Sequence, residues 1–129
     1  MFRSSLVSTP VGLHDGNLVQ YQRHRDQLTA FISAWDSTKI TMVFVGVWLV
    51  KEFDAVGPPD EIEGSLSELR ECFGSELIAE AQQRMKLLHC SKAEIENLRH
   101  FRLLDDSDTP VLEIVAHKLE MHHASSSTI

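Results

Sequence analysis

Residues 40–50 read ITMVFVGVWLV, eleven consecutive residues with almost no polarity. As an α-helix this stretch would be about 17 Å long, well short of the roughly 20 residues that cross a bilayer, so it is predicted to be a core element. Six of its residues are β-branched, which favours a buried strand by composition. A strand needs partners for its backbone, however, and the only other extended-looking stretch, residues 6–13, is broken by Pro10 and Gly12. We therefore predict a helix here, with a buried strand as the alternative.

Helix signals recur along the rest of the chain. Asn17 is a candidate N-cap before a stripe of apolar residues at alternating three- and four-residue spacing, which is typical of an amphipathic helix. Ser75 can cap a later helix, Ser91 and Glu94 form a capping box, and Pro110 suits the first turn of a last helix. The sequence thus predicts an all-α fold of about six helices, either a small bundle or a fragment of a helical repeat array.

The domain organisation follows from the same pattern. Residues 1–16 are predicted to be irregular, residues 17–123 to form a single helical domain, and residues 124–129 to be a disordered tail. A chain of 129 residues suits one compact domain with a real core. The two cysteines are too few for a disulfide framework, and the N-terminal residues lack the continuous apolar stretch of a signal peptide. We expect an intracellular protein, cytoplasmic or nuclear, without a membrane anchor.

The charge is negative and unevenly distributed. Nineteen acidic against 12 basic residues give a net charge of −7, which disfavours nucleic-acid binding. Between positions 52 and 80 the only basic residue is Arg70. The acidic residues of this segment are Glu52, Asp54, Asp60, Glu61, Glu63, Glu68, Glu71, Glu76 and Glu80. The segment is either a solvated helical face or a docking surface for a basic partner.

No catalytic, cofactor or metal site is predicted. Glu113, His117, Glu120 and His123 could share one face of the last predicted helix, and such side chains can bind zinc or iron. A di-iron bundle needs matching ligand pairs on two helices, however, and no partner set is found in the sequence. Cys90 follows His89 directly, and neighbours on a helix do not face each other. We expect a protein that is not an enzyme.

One family resemblance lies in the opening motif. Leu28, Phe31, Trp35 and Lys39, followed by Met42-Val43-Phe44-Val45 and Val47-Trp48-Leu49, resemble the cullin repeat, most of all that of the cullins that take BTB-domain adaptors. The resemblance covers roughly residues 18–90 and departs after Val50, where the Tyr and Arg of the family pattern are absent. It implies a non-catalytic piece of a helical scaffold in ubiquitin-dependent protein degradation.

Two hypotheses about partners follow. By the resemblance, a BTB-type adaptor would bind the helix over residues 42–53, through Phe44, Val47, Trp48, Lys51 and Phe53. Part of the apolar run would then stay exposed. In the alternative hypothesis, the chain is a small acidic inhibitor or immunity-type protein that binds a basic partner through residues 52–80. Salt distinguishes the two, because charge-driven binding weakens steeply as salt rises and an apolar contact changes little.

Overall fold

The computed structural model describes residues 3–52 and 65–124, and in these residues the protein is built mainly of antiparallel strands. The strands are β1 (Arg3–Leu6), β2 (Gly16–His24), β3 (Gln27–Ser33), β4 (Lys39–Val45), β5 (Leu49–Glu52), β6 (Ser65–Phe73), β7 (Arg99–Asp105), β8 (Pro110–Ala116) and β9 (Lys118–Ala124). The helices are α1 (Glu76–Leu87) and α2 (Lys92–Glu96), both between β6 and β7.

The predicted all-α fold of about six helices is therefore wrong. Residues 40–50 form β4 and part of β5, as their β-branched composition favoured, and the helix predicted from Asn17 is the hairpin of β2 and β3. The helical domain predicted over residues 17–123 is thus largely a sheet, and Arg3–Leu6 adds a strand within the segment predicted to be irregular. Ala124, the first residue of the predicted tail over residues 124–129, ends β9, and residues 125–129 lie outside the described residues.

The strands form one sheet that folds back on itself. Hydrogen-bonded neighbours follow the order β5, β8, β7, β6, β2, β3, β4, β9, with β1 paired to β6, and every pairing is antiparallel. β4 pairs with β9 and β5 pairs with β8. Between these pairs, the Trp48 amide donates to the Val115 carbonyl (2.8 Å) and the His117 amide to the Val45 carbonyl (3.0 Å). The two ends of the sheet therefore meet.

The main core lies inside this folded sheet. Residues of β3 and β4 alternate between buried and half-buried, as expected for strands with one face in a core. The rings of Phe44 on β4 and Phe101 on β7 meet at a centroid distance of 5.4 Å and an interplanar angle of 60°. Other buried core residues are Leu28, Ala30, Ile32, Ile40, Met42, Leu66, Leu69, Leu103, Leu112 and Ile114.

A second, smaller core lies outside the sheet, under the two helices. Ala81 and Met85 of α1 pack with Leu98 and with Val115 of β8, and Trp48 packs against this cluster. Because β8 is covered by the main core on one face and by the helices on the other, residues 112–116 are all buried. This layer holds α1 against β5, β7 and β8.

The two serine caps are confirmed. Ser75 Oγ accepts a hydrogen bond from the Ile78 amide (3.3 Å), and Ser91 Oγ accepts one from the Glu94 amide (3.2 Å). The helix after Ser91 is short, since α2 ends at Glu96 and β7 begins at Arg99. In the ranges 3–52 and 65–124, neither helix is long and apolar enough to cross a membrane.

The bend between β4 and β5 depends on Gly46. Its φ is +71°, and an added Cβ would lie 2.5 Å from His117 Nδ1. The His117 ring is held in place, because its Nε2 donates to the Glu94 carbonyl at 2.9 Å. We expect Gly46→Ala to lower the free energy of unfolding by about 2 kcal/mol in urea denaturation. Gly12→Ala, where a Cβ would meet nothing within 4 Å, is the matched control, and equal losses in the two variants would contradict this account.

Candidate functional site

A polar cluster occupies the outer face of the sheet beside the N-terminus of α1. Lys51 on β5 and Arg102 on β7 are both register partners of Glu113 on β8, and Arg102 is also the partner of Arg70 on β6. Residues opposite each other on antiparallel strands place their side chains on the same face. Four neighbouring strands therefore bring three cations and one carboxylate into a single row.

Glu113 is the buried centre of this row. Its side chain is 4% exposed, and its Oε1 accepts hydrogen bonds from His100 Nε2 (3.0 Å) and from Arg102 Nε. Burial alone would raise the pKa of Glu113, but the hydrogen bonds from His100 and Arg102 outweigh burial and hold that pKa below its ordinary value. Glu113 is therefore an ionised, buried carboxylate at neutral pH.

His100 connects Glu113 to the cap of α1. The ring is 2% exposed, and its Nδ1 lies 2.7 Å from Ser75 Oγ. When the neutral ring carries its proton on Nε2, that nitrogen donates to Glu113 and Nδ1 accepts from the Ser75 hydroxyl. The serine oxygen at the same time accepts the Ile78 amide. Ser75, His100 and Glu113 thus form a chain of hydrogen bonds from the helix terminus to the sheet. We call these three residues the polar triad.

A pocket opens beside the polar triad. Its volume is about 580 Å³, and its lining residues are Lys51, Gly74, Ser75, Glu76, Leu77, Glu80, His100, Arg102 and Glu113. Gly74 joins β6 to α1 with a φ of +69°, and a Cβ added there would meet nothing within 4 Å, so space is open beside the Ser75 backbone. The side chains of Glu76 and Glu80 on α1 add negative charge to this pocket.

A second candidate site is apolar and lies at the other end of α1. Trp48, Arg84, Leu87 and Leu88 line a pocket of about 380 Å³, and we call these four residues the α1 surface. Leu87 is 79% exposed and Leu88 66% exposed, although both are large apolar side chains. Exposed apolar residues that adjoin one another mark interaction surfaces more often than scattered ones do.

The structure separates the predicted partner-binding residues. Phe44 and Val47 are buried in the main core, whereas Lys51 is exposed beside the polar triad. Trp48 is half-buried and belongs to the α1 surface, and Phe53 lies outside the described residues. The adaptor-facing helix that the cullin resemblance implies is not formed, because these positions belong to β4, β5 and the bend between them.

The acidic segment is likewise not one continuous helical face. Glu52 ends a strand, and Glu76 and Glu80 are exposed on α1. Glu68 on β6 pairs with Arg70 (3.3 Å), and Glu71 pairs with Arg99 on β7 (2.6 Å). The remaining acidic residues of the segment, Asp54, Asp60, Glu61 and Glu63, lie outside the described residues.

The four side chains that the sequence offered as possible metal ligands do not come together in one site. Glu113 belongs to the polar triad, His117 donates to the Glu94 carbonyl, and Glu120 pairs with Lys118 at 2.8 Å. His123 is exposed on β9. Within the described residues, the one group of three possible ligands is His14, Asp15 and Asp106, all exposed, and such groups are common on surfaces without a metal.

The comparisons with known proteins leave the site to be interpreted from its own geometry. No family model, no characterised protein and no solved structure matches the chain. These comparisons therefore give no support for a role in cullin or ubiquitin-ligase complexes. The helix on which the resemblance depends is contradicted by the strands β4 and β5 within residues 39–52. The two pockets beside α1 carry the functional argument.

Several residues of the two sites were missed from the sequence. His100 and Arg102 are not among the site residues predicted from the sequence, and Leu87 and Leu88 lie in a segment predicted only to be helical. A signal for the first pair exists in RHFRLLD, residues 99–105, where polar His100 and Arg102 alternate with apolar Phe101 and Leu103. No comparable signal indicates that Leu87 is exposed, because the sequence does not distinguish an apolar helical residue that faces the core from one that faces solvent.

Proposed function

We propose that this protein is an acidic, inhibitor- or immunity-type binding protein that holds a basic protein partner through the α1 surface. The exposed apolar side chains of Leu87 and Leu88 beside Trp48 are the observation that carries the proposal. A partner can place an apolar side chain in the pocket of about 380 Å³ between them. Tryptophan and arginine are the residue types most often found among the side chains that dominate the energy of protein interfaces, and Trp48 and Arg84 both line this pocket.

Charge supports a basic partner. The whole chain carries a net charge of −7. On α1, Glu76 and Glu80 are exposed toward the N-terminal end of the helix, with Glu80 paired to Arg84 of the α1 surface (3.5 Å), and the apolar pair is at the C-terminal end. Because α1 is about 18 Å long, one amphipathic segment of a partner can contact both regions. Complementary charge raises the association rate, and the apolar anchor slows dissociation.

Leu87→Glu tests the apolar anchor directly. The probe is a synthetic amphipathic peptide of lysine and leucine, titrated by calorimetry against the folded protein. We expect Leu87→Glu to weaken binding at least about tenfold, since a hot-spot side chain contributes about 2 kcal/mol or more. Because Leu87 is 79% exposed, the substitution is expected to leave the free energy of unfolding nearly unchanged. Trp48→Ala is expected to weaken binding too, while Trp35→Ala, at a 66% exposed tryptophan, leaves it unchanged.

The matched control is Val19→Glu on β2, which is 64% exposed. It makes the same change of charge, and added negative charge by itself favours a cationic peptide. Weaker binding in Leu87→Glu but not in Val19→Glu therefore identifies an apolar contact at the α1 surface. Equal affinities in the two variants would refute the proposed docking site. A decline in the association rate between about 50 and 500 mM salt is expected for the acidic contribution.

A further inference from the structure

We infer that the polar triad is a hydrolytic site, in which Ser75 is the nucleophile, His100 the general base and Glu113 the carboxylate that orients the base. Ser75 Oγ lies 2.7 Å from His100 Nδ1, and His100 Nε2 lies 3.0 Å from Glu113 Oε1. These are hydrogen-bond distances between a nucleophile, a base and an orienting acid, which is the arrangement that activates a serine hydroxyl. The inference is independent of the proposed binding function.

The surroundings of the triad suit this chemistry. Ser75 is 5% exposed and forms part of the wall of the pocket of about 580 Å³, which is the side from which an acyl group would approach it. Arg102 donates to the same carboxylate oxygen of Glu113 and keeps it in place. Ser75 also stands at the start of α1, where the first amide groups of a helix have no intrahelical partner. The first two amides of α1, those of Glu76 and Leu77, would stabilise negative charge that develops next to Ser75.

The substrate class is a carboxylic ester of a short acyl group, as the pocket volume allows. Ser75 Oγ bonds to the ester carbonyl carbon while its proton moves to His100 Nδ1. The bond to the alcohol oxygen breaks, and the alcohol leaves with that proton. A water molecule then attacks the acylated serine and gives a proton to His100, and the Ser75 oxygen leaves and regains it. The balance is ester and water to carboxylic acid and alcohol, with no other reactant.

Ser91 is an internal control, because it is a second serine that caps a helix. Ser91 caps α2 with the same geometry, since its oxygen accepts the Glu94 amide at 3.2 Å and its backbone is extended like that of Ser75. Ser91 is exposed, and within residues 3–52 and 65–124 its hydroxyl makes no hydrogen bond to a histidine or carboxylate side chain. If capping alone explained Ser75, the two hydroxyl groups would be equally unreactive toward acylating reagents.

The test is labelling of the wild-type protein with a fluorophosphonate, with the modified residue identified by peptide mass spectrometry. We expect Ser75 to be labelled at least about 10-fold faster than Ser91, and p-nitrophenyl acetate hydrolysis to fall about 100-fold in Ser75→Ala. Ser91→Ala is expected to hydrolyse the ester at the wild-type rate. His100→Gln is expected to lose both reactions.

Labelling in the wild-type protein does not depend on whether a variant folds, so the site is tested even if Ser75→Ala is unstable. Absence of label at Ser75, or a rate no faster than at Ser91, overturns the inference. So does ester hydrolysis that persists in a Ser75→Ala protein whose circular dichroism matches the wild type. Label at Ser75 together with lost hydrolysis in the folded variant supports it.

Discussion

In a Glu113→Ala variant, the free energy of unfolding is expected to fall by about 3 kcal/mol at pH 7. The carboxylate is 4% exposed and accepts from both His100 and Arg102, so its removal leaves the buried His100 ring and the partly exposed Arg102 side chain without this acceptor. Removal of one partner from a fully buried ion pair costs about 3–5 kcal/mol. The lower end of that range applies here because the Arg102 side chain is 30% exposed and can turn toward water.

Urea denaturation followed by tryptophan fluorescence measures this loss. The control is Glu120→Ala, which removes a carboxylate paired with Lys118 on the surface, where an ion pair contributes less than about 1 kcal/mol. Similar losses in the two variants would show that Glu113 does not hold the helices to the sheet through His100.

The same carboxylate makes stability depend on pH. The pKa of Glu113 is lowered in the folded protein from its ordinary value of 4.5 because the hydrogen bonds from His100 and Arg102 outweigh burial. As the pH falls through 4.5 toward the folded value, the unfolded chain binds a proton that the folded protein resists, so stability decreases. Glu113→Gln binds no proton at this position. Its deficit relative to the wild type is therefore expected to shrink as the pH falls from about 6 to about 3.

The helices could be predicted from the sequence where local signals act alone. Ser75 and Ser91 stand before short helices and their side chains accept amides three residues on. Such a cap is a local interaction, and it forms in the same way whichever fold surrounds it. The turn after β7 rests on a local interaction of the same kind, since Asp105 Oδ1 accepts the amides of Ser107 and Thr109.

The strands were missed because their periodicity is ambiguous. Leu28 and Ile32 are four residues apart, which fits one face of a helix, but four is also twice the period of a strand. Ala30, buried between them, is the residue that distinguishes the two patterns. Bulges between Leu18 and Gln20 and between Leu66 and Glu68 interrupt the alternation in β2 and β6 and hide it further.

The site was harder to predict than the fold, because its residues are distant in sequence. Ser75 and His100 are 25 residues apart, and Glu113 is 13 residues further on. They meet only because β7 and β8 are paired and α1 packs beside them. A prediction that begins from helices therefore never brings these three side chains together.

Phe44→Ala is expected to lower the free energy of unfolding by about 4 kcal/mol, the largest loss at any of the predicted partner-binding positions. Phe44 is 1% exposed and its ring meets that of Phe101, so truncation leaves a cavity between the two sides of the folded sheet. Thermal and urea denaturation measure the loss, with Phe73→Ala, at a 43% exposed ring, as the control expected to lose less than about 1 kcal/mol.

This variant also separates core from interface. If Phe44 were part of a docking surface, its truncation would reduce binding and leave stability nearly unchanged. Because Phe44 is buried, its truncation is expected to reduce stability and to leave the peptide affinity of the folded protein unchanged. Binding of the lysine–leucine peptide is then lost only to the extent that the protein unfolds. Leu87→Glu is expected to show the opposite behaviour, since its side chain is in water and not in a core. A stable Phe44→Ala protein with weakened binding would therefore contradict both the position of the core and the choice of the α1 surface.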